Sequence, residues 1–178
     1  MTARILTLFF ALCLATVAEA TVPVIVWSAP GSVCVPADAT IKFNRDKLGV
    51  VTVQHAPNNA ELVTLNCPIA WFNHAGIGDW HLGLTYRDST ATSPSAFVRA
   101  RLYRLPAGDV TPVLMAEVNS NTFSIATVTT QQSGMFTHTF NFAANSYWIH
   151  VDMDRSMLTD IVTLYKLSVI GESCALCN

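Results

Sequence analysis

Phe97-Val98-Arg99-Ala100-Arg101-Leu102-Tyr103-Arg104-Leu105, followed by Pro106-Ala107-Gly108-Asp109 and then by Val110 to Val118, is the stretch that decides the fold. Side chains on a β-strand point alternately to opposite faces. Val98, Ala100 and Leu102 therefore share one apolar face, and Arg99, Arg101 and Tyr103 share the other. Pro and Gly supply turn geometry between the two runs, so the segment reads as a hairpin. Pro112 cannot donate to a ladder, which puts the returning strand at an edge or an irregularity.

The same pattern continues in both directions. Upstream, the runs Val22 to Trp27, Ile41 to Phe43, Gly49 to Gln54, Glu61 to Asn66 (leading into Cys67-Pro68) and His81 to Arg87 read as strands. Downstream, Phe123 to Thr129, Met135 to Phe142, Tyr147 to Met153 and Ile161 to Ile170 do the same, with Phe136, His138, Phe140 and Phe142 on one face of their run. This predicts nine to eleven strands. No helical period is persuasive, and without helices between strands a parallel sheet is not expected. The reading is an all-β, antiparallel β-sandwich, jelly-roll-like, with a closed barrel as the second solution.

Composition limits the classes further. Of 178 residues, 51% are hydrophobic and 12% charged, against a usual charged share of about 25%. That excludes a disordered, coiled-coil or collagen-like chain. The net charge of −2 provides no basic field, so no nucleic acid partner is expected. Arg4, the thirteen-residue apolar run Ile5 to Val17 and Ala18-Glu19-Ala20 form a signal peptide pattern over residues 1–20. As a helix that run spans about 20 Å, short of a bilayer core of about 30 Å. No later segment reaches the roughly 18 apolar residues of a membrane span. The expectation is one β-sandwich domain over residues 21–178, secreted or periplasmic.

Beyond the signal pattern the cysteines are Cys34, Cys67, Cys174 and Cys177. An even count in an exported chain points to disulfides, and four cysteines allow three connectivities. The preferred one is Cys34–Cys67 with Cys174–Cys177. Cys174-Ala-Leu-Cys177 also has the form of a redox or zinc motif, but only Asn178 follows it, so no helix can start there to activate a thiol. A zinc site needs a second close pair, and Cys34 and Cys67 stand far apart in sequence.

Pro68 to His81 is the longest stretch without strand alternation, and functional groups concentrate in such loops. Trp71 and Trp80 are candidates to stack on a sugar face, and His74, Asp79 and His81 are candidate metal ligands. The plainer alternative is that the tryptophans plug the open end of a sandwich. Arg99 and Arg101, flanked by Phe97 and Tyr103, are candidates for an anionic glycan, or else ordinary cover for an outer sheet face. Trp148, His150, Asp152 and Asp154 share one face of a strand and read as its solvent face, with cation chelation as the alternative. His138 reads as a satisfied, partly buried histidine. The chain has no G-x-S-x-G elbow, H-E-x-x-H, Walker loop or dinucleotide glycine fingerprint.

Val26-Trp27, Cys34-Val35-Pro36, Thr64-Leu65-Asn66-Cys67-Pro68, Leu102-Tyr103-Arg104 and Asn141-Phe142-Ala143-Ala144-Asn145-Ser146-Tyr147, in that order, resemble small exported bacterial all-β proteins of unknown function. The resemblance implies a sandwich and a Cys34–Cys67 bridge, and no activity. The tail cysteine pair and the tryptophan loop depart from that pattern. The expected function is a non-enzymatic exported module that binds a partner protein, a glycan or a surface, with no cofactor. One alternative is an exported hydrolase or metal-dependent enzyme built on the 68–81 loop. Another is a structural subunit of an envelope assembly, joined through exposed edge strands.

Overall fold

The computed structural model describes residues 21–37, 43–53, 62–73, 78–94, 96–123, 125–155, 157 and 159–174. Residues 1–20, which read as a signal peptide, lie outside them, as do His74, Cys177 and the side chain of Cys174. The described residues form a sandwich of two antiparallel sheets, one of seven strands and one of five.

In chain order the strands are β1 (Thr21–Pro30), β2 (Val35–Pro36), β3 (Phe43–Arg45), β4 (Val51–Val53), β5 (Val63–Pro68), β6 (Asp79–Asp88), β7 (Ala96–Pro106), β8 (Val113–Asn119), β9 (Thr129–Gln132), β10 (Phe136–Thr137), β11 (Asn145–Arg155) and β12 (Val162–Cys174). Single 3-10 turns occupy Gly31–Val33 and Ser120–Thr122. In the larger sheet β6 and β12 are the central pair; β9 and β10 flank β6, and β1 and β4 flank β12, with β3 outside β4. The smaller sheet runs β2-β5-β11-β7-β8. The chain passes repeatedly from one sheet to the other, which gives the jelly-roll-like arrangement and leaves open edges that a barrel would lack.

Alternation explains the core. Trp80, Leu82, Leu84 and Tyr86 of β6, Val98, Ala100 and Leu102 of β7, and Tyr147, Ile149, Val151 and Met153 of β11 all face the space between the sheets and are buried. Each such side chain contributes on the order of 1.5–3 kcal/mol by leaving water. On β12 the register shifts between Leu164 and Lys166. One extra residue there lets Leu164 and Leu167 both point inward, although strict alternation would put them on opposite faces. Gly83 is required by close approach: a Cβ at this position would stand 2.2 Å from Ser168 Oγ on the neighbouring strand.

Cys34 and Cys67 form a disulfide. It ties the segment that leaves β1 to β5 of the opposite sheet, and both cysteines are buried. Among the described residues no helix is long and apolar enough to cross a membrane.

The downstream expectations need correction. The described residues form twelve strands where nine to eleven were expected, two of them only two residues long. Val110 to Pro112 stays in the turn, and β8 begins at Val113. Of the run Phe123 to Thr129, only Thr129 among the described residues is in a strand, β9, which continues to Gln132. From Met135 to Phe142 only Phe136 and Thr137 pair, opposite Trp80 and Asp79. Phe140 there is buried, and Phe142 partly buried, for a different reason, given next.

Candidate functional site

After Pro68 the chain leaves β5 but stays attached to β11, because Ile69 N donates to Tyr147 O at 3.2 Å. Ile69 and Phe72 turn inward and are buried, while Trp71 between them turns outward. Phe72 meets Phe140 at 5.1 Å and Phe142 at 5.2 Å between ring centroids, both edge-on. Trp80 meets Phe140 at 4.9 Å and Tyr147 meets Phe142 at 5.0 Å. Edge-to-face contacts at this range add about 0.5–1.5 kcal/mol each beyond area burial. This aromatic cluster closes one end of the sandwich.

Trp80 belongs to that plug. Its side chain is inaccessible, and its indole Nε1 donates to His138 O at 2.7 Å. It therefore cannot present a face to a ligand, contrary to the expectation that both tryptophans could. Trp71 is 71% exposed, a large apolar surface left in water at the rim of the plug. It borders an open cleft of about 560 Å³ with Thr139, Phe140, Asn141, Phe142 and Ala143.

The far wall of the cleft is held rigidly. Asn141 Oδ1 accepts from Ala143 N at 3.1 Å and Ala144 N at 3.2 Å, and Asn141 O accepts from Asn145 N at 3.0 Å. Tyr147 Oη accepts from Asn141 N at 3.1 Å and stands 3.0 Å from His138 Nε2, to which its proton can be donated. His138 is thus the satisfied histidine expected. A wall fixed in this way lowers the entropy cost of binding.

Of the metal candidates, the two among the described residues, Asp79 and His81, are engaged elsewhere. Asp79 Oδ1 accepts from Thr137 Oγ1 at 2.6 Å. His81 has Nδ1 at 2.9 Å from Ser133 O and Nε2 at 3.2 Å from Glu172 Oε1, so both ring nitrogens are in use. Among the described residues no three His, Cys, Asp or Glu side chains are grouped to hold a metal.

The outer face of the five-stranded sheet is not the plain solvent face that alternation suggests. Register places His150 opposite Arg101 and Asp152 opposite Arg99 on one side, and opposite Asn66 and Thr64 on the other. Asp152 is buried, although it points away from the core. Its carboxylate accepts from Arg99 Nη2 at 2.9 Å, from Arg101 Nη2 and from Thr64 Oγ1 at 3.2 Å, with His150 Nε2 at 3.1 Å. Burial alone would raise the Asp152 pKa. Hydrogen bonds from Arg99 and Arg101 and the charges of His150 and Arg101 outweigh it and hold the carboxyl below its ordinary range.

His150 Nδ1 lies 3.0 Å from Asn66 Oδ1, so neither of its nitrogens is left to activate a nucleophile. Arg99 and Arg101 are committed to Asp152 and are weakened as anchors for an outside anion. Above this polar ladder Tyr103 stacks on Trp148 at 5.6 Å and 22°. Trp148 pairs with Pro68, three residues before Trp71, so the stacked pair and the Trp71 cleft lie toward the same end of the sheet. The signal for the ladder was present as Arg-x-Arg on one strand and His-x-Asp on another; the register that joins them was not.

No protein-family model matches the chain, and no curated protein matches it. Among solved structures it is similar to a family two carbohydrate esterase from Cellvibrio japonicus, with 12% identity and a TM-score of 0.42 over 85% of this chain and 34% of that one. It is also similar to the functional form of the mosquito-larvicidal Cry4Aa toxin from Bacillus thuringiensis, with 9% identity and a TM-score of 0.43 over 81% of this chain and 23% of that one. The chain thus spans about a third or less of either structure, and neither likeness informs its function.

Proposed function

We propose that this chain is an exported, non-enzymatic β-sandwich module that binds a glycan at the Trp71 cleft. The observation that carries the reading is the exposure of Trp71 at the mouth of a rigid cleft lined by two phenylalanines and by the polar residues Thr139 and Asn141. A sugar ring has an apolar C–H face and a polar rim. An indole presented beside hydrogen-bonding groups matches both, as in concave sites with an apolar lining and a few placed polar groups. Export rests on the 1–20 pattern and agrees with the buried Cys34–Cys67 bridge. The engaged nitrogens of His81, His138 and His150 favour binding over catalysis.

The test is a glycan array probed with the wild-type chain and with Trp71→Ala, followed by titration of the best ligand. Loss of one stacking contact, about 1–3 kcal/mol in comparable ring-on-ring contacts, corresponds to a fall in affinity of roughly 5- to 150-fold. Binding unchanged in Trp71→Ala would sink the assignment, and so would an array without hits.

A further inference from the structure

The outer face of the seven-stranded sheet carries a groove of about 300 Å³, with side chains of β1 on one side and of β9 on the other. Ser168 and Ile170 of β12 line it and are each only 4% exposed. Alternation turns them away from the core, into which Leu167 and Val169 point. Gly83, opposite Ser168, makes room for this floor, since a Cβ there would stand 2.2 Å from Ser168 Oγ. A bulge in β1 builds one wall. Trp27 stands opposite the inward-facing Val169, so strict alternation would turn Ile25 inward as well. The extra residue between them re-aims Ile25 outward, opposite Ile170, where it is 55% exposed.

The groove is polar at one end and apolar at the other. Lys166 stands opposite Thr85, and Thr85 opposite Thr130, with the two threonine hydroxyls 2.8 Å apart. Two residues along β12, Ser168 is followed across the sheet by Gly83 and Gln132. Two residues further, Ile170 meets Ile25, with Pro23 beyond. At 3.3–3.4 Å per residue, Lys166 and Ile170 stand about 13 Å apart. Among the described residues Lys166 has no ion-pair partner, and the hydroxyl of the nine-tenths-buried Ser168 has no hydrogen-bond partner. Both line the groove and are available to whatever enters it. Past the apolar end Glu172 lies 3.2 Å from His81 Nε2. An anionic group is therefore drawn to the Lys166 end and disfavoured at the other, which fixes the direction of a ligand with one charged end.

We propose that this groove binds a medium-chain carboxylic acid as its anion. The carboxylate sits between Lys166 and Ser168, and the alkyl chain lies over Ile170, Ile25 and Pro23. The volume holds about ten non-hydrogen atoms at about 30 Å³ each, a water molecule's share of the liquid. Octanoate is of that size. A sugar would leave the apolar end uncovered, and a neutral hydrocarbon would leave the lysine unused. The groove shares no residue with the Trp71 cleft, so the proposal is independent of the glycan reading.

The test is a titration of the full chain with sodium octanoate, followed in nitrogen–proton correlation spectra. The amide signals of Gly83, Ser168 and Ile170 should shift to saturation. Hexanoate, shorter by two methylenes, should bind about 15-fold more weakly if each methylene is buried. Lys166→Gln should weaken octanoate about 3- to 10-fold, between an exposed and a buried charge pair, and leave octan-1-ol unchanged; Ile25→Ser should weaken both. No saturable shift with octanoate, or saturation that leaves those three amides in place, would overturn the proposal. So would equal affinity for hexanoate and octanoate, a comparison that needs only the wild-type chain.

Discussion

Replacing Asp152 by Asn removes the charge that the outer-face ladder is built around. The carboxylate is 4% exposed, whereas the side chains of Arg99 and Arg101 are 33% and 22% exposed. Breaking a fully buried pair costs about 3–5 kcal/mol. Here the guanidinium groups keep access to water, which screens them once the anion is gone. The cost at neutral pH is therefore about 2–3 kcal/mol, or a fall in Tm of roughly 4–12 °C for a chain of this size. The pH dependence follows from the depressed carboxyl pKa. The folded state binds the Asp152 proton more weakly than the unfolded chain does, so this stabilisation is complete above the unfolded value near 3.8 and fades as pH falls through the lower folded value. Urea unfolding of wild type and Asp152→Asn from pH 7 to pH 3 should show a gap that is constant at neutral pH and narrows below about pH 4. A gap independent of pH, or below about 0.5 kcal/mol throughout, would refute the reasoning, the latter because surface pairs contribute no more than that.

Three further outcomes are expected. Gly83→Ala should destabilise by about 1–3 kcal/mol through overpacking against Ser168, and Gly83→Ala with Ser168→Gly should recover most of that in the same urea assay. Reduction of Cys34–Cys67, which spans 33 positions, should cost about 3–4 kcal/mol; an unchanged Tm in strong reductant would contradict this. Tyr86→Phe should be neutral or gain up to about 1 kcal/mol, because the buried Tyr86 hydroxyl has no hydrogen-bond partner, and a loss above about 1 kcal/mol would show that the hydroxyl is satisfied in solution.

The sandwich was legible because β6, β7 and β11 alternate cleanly and their apolar faces are the core. The failure came at Phe136 to Phe142, where alternation of phenylalanines imitated a strand. Phe140 and Phe142 are drawn in by Phe72, Trp80 and Tyr147 at the end of the sandwich, and an end plug leaves the same apolar spacing in the sequence as a sheet does. Trp71 and Trp80 illustrate the same limit. They carry identical side chains in a stretch that lacks strand alternation, yet Trp80 is paired in β6 and buried, while Trp71 falls between two inward-turning residues and is left outside. Asp152 could not be read as buried because its cover comes from Arg99 and Arg101, more than fifty residues away.

The most direct test of the glycan-binding account is a nitrogen–proton correlation spectrum of the four tryptophan indoles during titration with the best glycan from the array. The account predicts that the Trp71 indole signal shifts progressively to saturation while that of Trp80, locked on His138 O, stays in place. Saturable binding that leaves the Trp71 signal unmoved would place the ligand elsewhere and contradict the account.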